Sequence, residues 1–219
     1  VIVSQCGPTG PNGEIERTIV VDALSLVDDV EQGKKNVAPF QSYPGIASAI
    51  VNINGAETTL ATRREQQLNA NPEDHRYFVD NIWVDGDPAT IAEQLDPLFT
   101  QIPEQKGFTI WYSMGPLREL PDMAFSLQSP GYVATYLVSD DETHDAANRA
   151  WLDGAMAKAR GVTKGTYLGD SDFGNRQLRF MSSENYARLQ RVIEDRDPDG
   201  RFVRYLTKDA AKLNTNDWE

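Results

Sequence analysis

The reactive side chains that stand out in this sequence are tyrosines on alternating runs. Tyr112 lies in GFTIWYS, Tyr136 in GYVATYLV, and Tyr167 sits three residues before Asp170 in TYLGD. A phenol or a carboxylate can pass or accept a proton when its surroundings tune it. Successive side chains of a strand point to opposite faces. Phe108, Ile110 and Tyr112 therefore share one side of their strand, and Thr109, Trp111 and Ser113 the other. In the same way Tyr132, Ala134 and Tyr136 oppose Val133, Thr135 and Leu137. One face is expected to pack aliphatic residues against helices, and the other to turn tyrosine hydroxyls toward a cavity or a partner domain.

Other candidate groups read more plainly. His75 follows NPED in a turn and His144 lies early in an acidic helix. Neither has a second histidine or a carboxylate at metal-ligand spacing, so both are expected in solvent and no metal site is expected. The acids of SDDETHD suit the first turn of a helix, whose dipole favours negative charge. They lack the glycine-containing loop of alternating acids that calcium uses. Cys6, the single cysteine, is expected as a small buried strand residue and rules out an intramolecular disulfide. The glycines of GPTGPNG sit among prolines, as in a turn rather than a phosphate cradle. No Gly-x-Ser-x-Gly elbow, zinc-protease histidine pair or Walker loop is present, which leaves hydrolase and kinase chemistry without a residue to act through.

The elements that must hold the tyrosines follow from pattern. VIVSQC and ERTIVVDA read as two strands around the Gly/Pro/Asn turn. DALSLVDDVEQ suits a short helix stopped by Gly33. Pro39 and Pro44 interrupt the next stretch, with a short helix open over 45–52, and TTLATRREQQLNANPED reads as helix or loop ending at Asn71-Pro72. YFVDNIWV is a strand, DPATIAEQLDPLFTQI a helix with Asp87 as N-cap and Pro88 at its first position, and GFTIWYS a second strand. GYVATYLV, DETHDAANRAWLDGAMAKAR and KGTYL repeat the theme. Two strand–helix–strand units predict an α+β fold, a mainly antiparallel or mixed sheet with helices packed on one face. A last helix over SSENYARLQRVIEDR, with Ser183 as N-cap, carries an apolar stripe of Tyr186, Leu189 and Ile193. DPDG ends it.

Bulk composition narrows the function classes. The 219 residues suit one large domain or two small ones. A net charge of −12 argues against a nucleic-acid partner, because phosphate binding needs clustered Lys and Arg. No run of 18 apolar residues is present to span a membrane as a helix. Residue 1 opens directly into VIVSQ without a charged or apolar leader, and the chain is expected to be a piece of a longer polypeptide.

The stretch from Tyr167 to Phe202 resembles the C-terminal signature of berberine-bridge-enzyme-like flavin oxidases, within the vanillyl-alcohol-oxidase superfamily. Those tails read as a Tyr-x-Asn-Tyr-x-Asp run, a Gly-Glu-Asn-Tyr-x-Arg-Leu helix and an Asp-Pro-x-Asn-x-Phe turn. SENYARL and DPDGRF match the second and third. In the first, Tyr167 and Asp172 match, while Gly169 and Asp170 replace the asparagine and second tyrosine. WYSMGPLRELPDMAFSLQSPGYVATYLVSDD is similar to the preceding strand, loop and strand of the family, and the resemblance extends over residues 37 to 206.

The resemblance implies FAD as cofactor, bound by an N-terminal domain absent from this chain, with a substrate sheet over the flavin ring. It implies residues 1–168 as an N-terminally truncated substrate-binding domain and 169–219 as the return to the FAD-binding domain, where the last helix would bury its stripe. Tyr167 is then the first choice of proton acceptor, with Asp170 a second. Tyr112, Tyr136 and Gln128 fall at the substrate pocket, and Gly169 and Asn185 on the cofactor side. The implied partners are a small organic substrate carrying a hydroxyl or similar group and the missing FAD-binding domain, without which the chain would be inactive. A flavin-free α+β binding or interaction module remains the alternative.

Overall fold

In a computed structural model, which describes residues 1–9, 15–115, 121–127, 129–176 and 178–202, six strands form one sheet in the order β2-β1-β4-β5-β3-β6. The strands are β1 (Ile2–Thr9), β2 (Ile15–Val21), β3 (Arg76–Val84), β4 (Phe108–Ser113), β5 (Gly131–Ser139) and β6 (Thr163–Gly165). The helices are α1 (Val30–Val37), α2 (Leu60–Ala70), α3 (Pro88–Thr100), α4 (Asp145–Lys158) and α5 (Ser183–Arg196). β5 pairs antiparallel with both β3 and β4, and β6 pairs antiparallel with β3. The strands joined through α3, β3 and β4, are therefore parallel with β5 between them, and those joined through α4, β5 and β6, enclose β3. The two expected units are thus interleaved as a split β-α-β pair.

The alternation expected from sequence sets the two faces. Ile82, Val84, Val133 and Leu137 pack on Leu95 and Leu98 of α3 and on Leu152, Ala155 and Met156 of α4. Burying four such strand residues stabilises the sandwich by roughly 1.5–3 kcal/mol each. The carbonyls that α3 leaves unpaired at its C-terminal end are taken up by the sheet. The Thr109 hydroxyl donates to Leu98 O at 2.6 Å and the Ser4 hydroxyl to Phe99 O at 2.5 Å. Arg17 of β2 donates to the carbonyls of Ile102, Glu104 and Gly107 at 2.6–2.7 Å, closing the α3–β4 turn.

Residues 21–75 form a separate compact unit with Val1. No residue of 21–75 is buried. Polar pairs hold the unit: Arg63 with Asp22, Asn36 with Ser25, and Gln41 with Asn52 in a reciprocal amide pair. Its first helix departs from the sequence expectation. α1 starts at Val30, because the Asp29 carboxylate caps the Gln32 amide, and Gly33 lies inside it rather than stopping it. With no apolar face to bury, capping and the Glu31 and Lys34 charges outweigh the apolar spacing of 23–27.

At the other end, the N-cap of α5 is Ser182, one residue before the expected Ser183. Tyr186 is buried against Phe180, Phe173 and Met181, and Leu189 packs on the same cluster. The N-terminal part of the apolar stripe is therefore used within this chain, while Ile193 is half-buried. Cys6 is half-buried on β1, less enclosed than expected.

Candidate functional site

The sheet face away from α3 and α4 is aromatic. Trp83, Tyr132 and Ala134 form its buried centre, and Ile110, Leu127, Tyr136 and Tyr167 pack around them. Strand pairing sets the neighbours: Tyr132 lies between Trp83 and Tyr112, and Tyr136 between Val79 and Phe108. Phe108 and Tyr136 stack with centroids 4.6 Å apart, and Tyr112 stands 6.3 Å from Tyr132.

A short segment after β6 brings a carboxylate to this face. Gly165 turns the chain at φ 145°. A Cβ there would lie 2.3 Å from the Leu127 side chain and 2.4 Å from Arg179 O, so the position requires glycine for both conformation and space. Leu168–Asp170 then make one 3-10 turn. The Tyr167 ring folds over Gly169, where an added Cβ would meet the ring at 2.5 Å. That ring meets Tyr132 edge-on at 6.1 Å and Phe125 at 5.8 Å.

Asp170 sits at the focus. The Tyr132 hydroxyl donates to Asp170 Oδ2 at 2.5 Å, and Tyr136 lines the same cleft as Asp170, whose charge acts on its phenol. Burial, with the Asp170 carboxylate next in effect, pushes both phenols well above the usual tyrosine range. Both therefore stay protonated at neutral pH, and the Asp170 carboxylate accepts from Tyr132. Beside this cluster a cleft of about 330 Å³ is lined by Tyr77, Val79, Tyr136, Arg149 and Asp170 among others. Arg149 stands over the Phe78 ring at 5.0 Å and donates to Asp172 at 3.1 Å.

Asn81 of β3, fully buried, holds the segment from below. Its amide oxygen accepts from Tyr167 N at 2.7 Å and the Thr166 hydroxyl at 2.9 Å. Its amide nitrogen donates to Tyr167 O at 3.0 Å and Ser171 Oγ at 2.9 Å. Arg176 secures the far end, bonding the Asp80 carboxylate and, at 3.1 Å, Asn81 O.

Of the residues singled out from sequence, Tyr136, Tyr167, Gly169 and Asp170 come together here, and Tyr112 borders them with 37% exposure. Asn185 lies elsewhere: its amide donates to Met123 O at 2.8 Å and ties α5 to the loop before β5. Gln128 lies outside the described residues. Tyr132, buried at the centre of the face, lies outside the residues singled out from sequence, although strand alternation puts it on the same side as Tyr136. Asn81 carried no local signal. His144, expected in solvent, is exposed, and its Nδ1 donates to Glu104 Oε1 at 2.9 Å. Among the described residues no group of three or more His, Cys, Asp or Glu is placed to hold a metal ion, and no helix is long and apolar enough to cross a membrane.

Comparison with known proteins points in one direction. No family model matches the chain. It is 26% identical over 218 residues, 98% of its length, to the FAD-linked oxidoreductase penO of Penicillium crustosum, covering 47% of that protein. It is 27% identical over 202 residues to the FAD-linked oxidoreductase ptmO of Penicillium ochrochloron, and 28% identical over 167 to janO of Penicillium janthinellum, also an FAD-linked oxidoreductase. These matches cover 90% and 74% of this chain and 44% and 36% of the relatives. The chain is a distant homologue of FAD-linked oxidoreductases and spans less than half the length of these relatives.

Proposed function

We propose that this chain is the substrate-binding and C-terminal portion of an FAD-dependent oxidoreductase of the berberine-bridge-like kind, which oxidises a hydroxyl or similar group of a small organic substrate. The observation that carries the reading is a carboxylate, Asp170, held by the Tyr132 phenol on an aromatic sheet face beside a cleft that Tyr136 also lines. In this reading residues 1–168 make the substrate-binding part. Residues 169–219 lead back toward an FAD-binding domain in the same precursor or a separate chain, and without that domain the chain is inactive.

The described residues do not fit the dinucleotide end of FAD. A pyrophosphate needs bare amides at a helix N-terminus. Here the side chains of Asp29, Thr59, Asp87 and Ser182 already cap α1, α2, α3 and α5, and α4 and α5 carry Asp145 and Glu184 in their first turns. The aromatic face instead suits a planar ring or an apolar substrate skeleton. Oxidation of a carbinol removes a hydride from carbon and a proton from oxygen, and FAD supplies the hydride acceptor when bound.

The proton side belongs to this chain. Asp170 accepts the hydroxyl proton, directly or through the phenol of Tyr132, which donates to Asp170 as it takes the substrate proton. The phenols themselves are poor bases at neutral pH, so the carboxylate replaces the tyrosine that the family pattern puts at this position. Tyr167 and Tyr112 form walls, Tyr167 held over Gly169 by its own backbone bonds.

Asp170→Asn in the complete gene product is the test. General-base loss lowers turnover by about 10²–10⁴-fold. The flavin spectrum and thermal midpoint should stay as in the parent. Turnover near the parent value overturns Asp170 as the acceptor. A complete gene product that takes up no flavin supports the binding-module alternative instead.

A further inference from the structure

We propose that Asn81 is a positioning residue for the site, the group that holds the Tyr167–Ser171 turn so that Asp170 meets the Tyr132 hydroxyl. The inference rests on the reading of Asp170 as proton acceptor, but its structural half can be tested without it.

Asn81 occupies the middle of β3, where its side chain points to the tyrosine face and is fully buried. An unpaired amide there would be costly, since a buried donor or acceptor left unsatisfied costs about 1–3 kcal/mol. Every site on the amide is used, and every bond goes to the same six-residue stretch. Oδ1 takes the Tyr167 N–H and the Thr166 hydroxyl; Nδ2 gives to the Tyr167 carbonyl and to Ser171 Oγ. The Ser171 hydroxyl in turn lies 2.7 Å from Tyr167 O and 2.6 Å from Thr166 Oγ1, which closes the turn on itself. Asp170 is the residue immediately before Ser171 and three after Tyr167. With both ends of that span fixed to one side chain, its carboxylate has little freedom except toward Tyr132. No apolar residue and no aspartate can reproduce the pattern, because it needs two acceptor and two donor positions on one planar group.

Asn81→Asp keeps size and shape, deletes both donors and puts a second negative charge behind the turn. Two readouts separate positioning from plain structural support. The first is the Tyr132 hydroxyl proton in the NMR spectrum of the 219-residue chain, assigned by its loss in Tyr132→Phe. It is expected downfield and slow to exchange in the parent, and broadened or lost in Asn81→Asp. The second is the pH–rate profile of the complete gene product. Its acid limb should move to higher pH in Asn81→Asp, with turnover at least 10-fold lower and KM changed less than threefold. Ser171→Ala removes one of the four bonds and keeps the chain folded should Asn81→Asp not fold. It is expected to speed exchange of the Tyr132 hydroxyl proton without moving the thermal midpoint by more than a few degrees.

A folded Asn81→Asp with parent hydroxyl resonance and parent pH profile overturns the proposal, as does a Ser171→Ala with unchanged exchange. The outcomes also separate the two claims. Lost resonance in Asn81→Asp together with normal turnover in Asp170→Asn leaves Asn81 as the positioning group and removes Asp170 as acceptor. An inactive Asp170→Asn beside an unaffected Asn81→Asp does the reverse.

Discussion

Replacing Arg176 with methionine leaves the Asp80 carboxylate in place with its charge partner gone. Asp80 is the more enclosed member of the pair, with its side chain 7% exposed against 21% for Arg176. Arg176 gives it two hydrogen bonds and a third to Asn81 O, while the Asn81 backbone N–H donates to Asp80 at 2.7 Å. That one amide cannot replace a guanidinium. Breaking a buried pair by removing one partner costs about 3–5 kcal/mol, because the other charge stays buried. The reverse replacement, Asp80→Asn, leaves an arginine that still reaches Asn81 O and solvent, so it should cost less, about 1–2 kcal/mol. The asymmetry is the point to test. In urea, at about 2 kcal/mol per molar, the midpoint should fall by about 1.5–2.5 M for Arg176→Met and by under about 1 M for Asp80→Asn. Tryptophan fluorescence follows the transition, since Trp83, Trp111 and Trp151 all belong to the sandwich. Adding Asp80→Asn to Arg176→Met should recover part of the loss by removing the stranded charge. Equal midpoints for the two single variants, or a double variant as unstable as the sum, would refute the burial argument.

Other consequences follow from the same packing. Gly165→Ala should lower stability by at least about 2 kcal/mol, through positive φ and overlap with Arg179 O. Gly154→Ala, inside α4 with open space around it, should raise stability by about 0.5–1 kcal/mol, and the thermal midpoints of the two variants should move in opposite directions. Ser182→Ala removes the acceptor for Asn185 N and should cost about 1 kcal/mol by the same measurement. His144 is held above its ordinary value of 6.5 first by its bond to Glu104, then by the Glu104 charge. Its contribution is full below that ordinary value and is lost as pH rises through the higher folded value. Stability should thus decline from about pH 6 upward, and His144→Gln should flatten that decline.

Much of this molecule is legible residue by residue. Strand alternation in GFTIWYS and GYVATYLV assigns the aliphatic and tyrosine faces, and Asp87-Pro88 marks the start of α3, because period and capping are properties of a few neighbouring residues. The exceptions are instructive. α1 departs from its apolar spacing because none of its residues is buried, so one carboxylate cap sets the start. The site itself could not be read this way. Tyr132 and Asp170 are 38 residues apart, Asn81 and Tyr167 86, and Asp80 and Arg176 96. Each is a bond between polar groups whose meeting depends on strand register and on the turn that Gly165 makes. A tyrosine face follows from side chains alternating along one strand; a carboxylate at its centre follows only from the fold, which sets Asp170 against the Tyr132 phenol on a turn held by a buried amide.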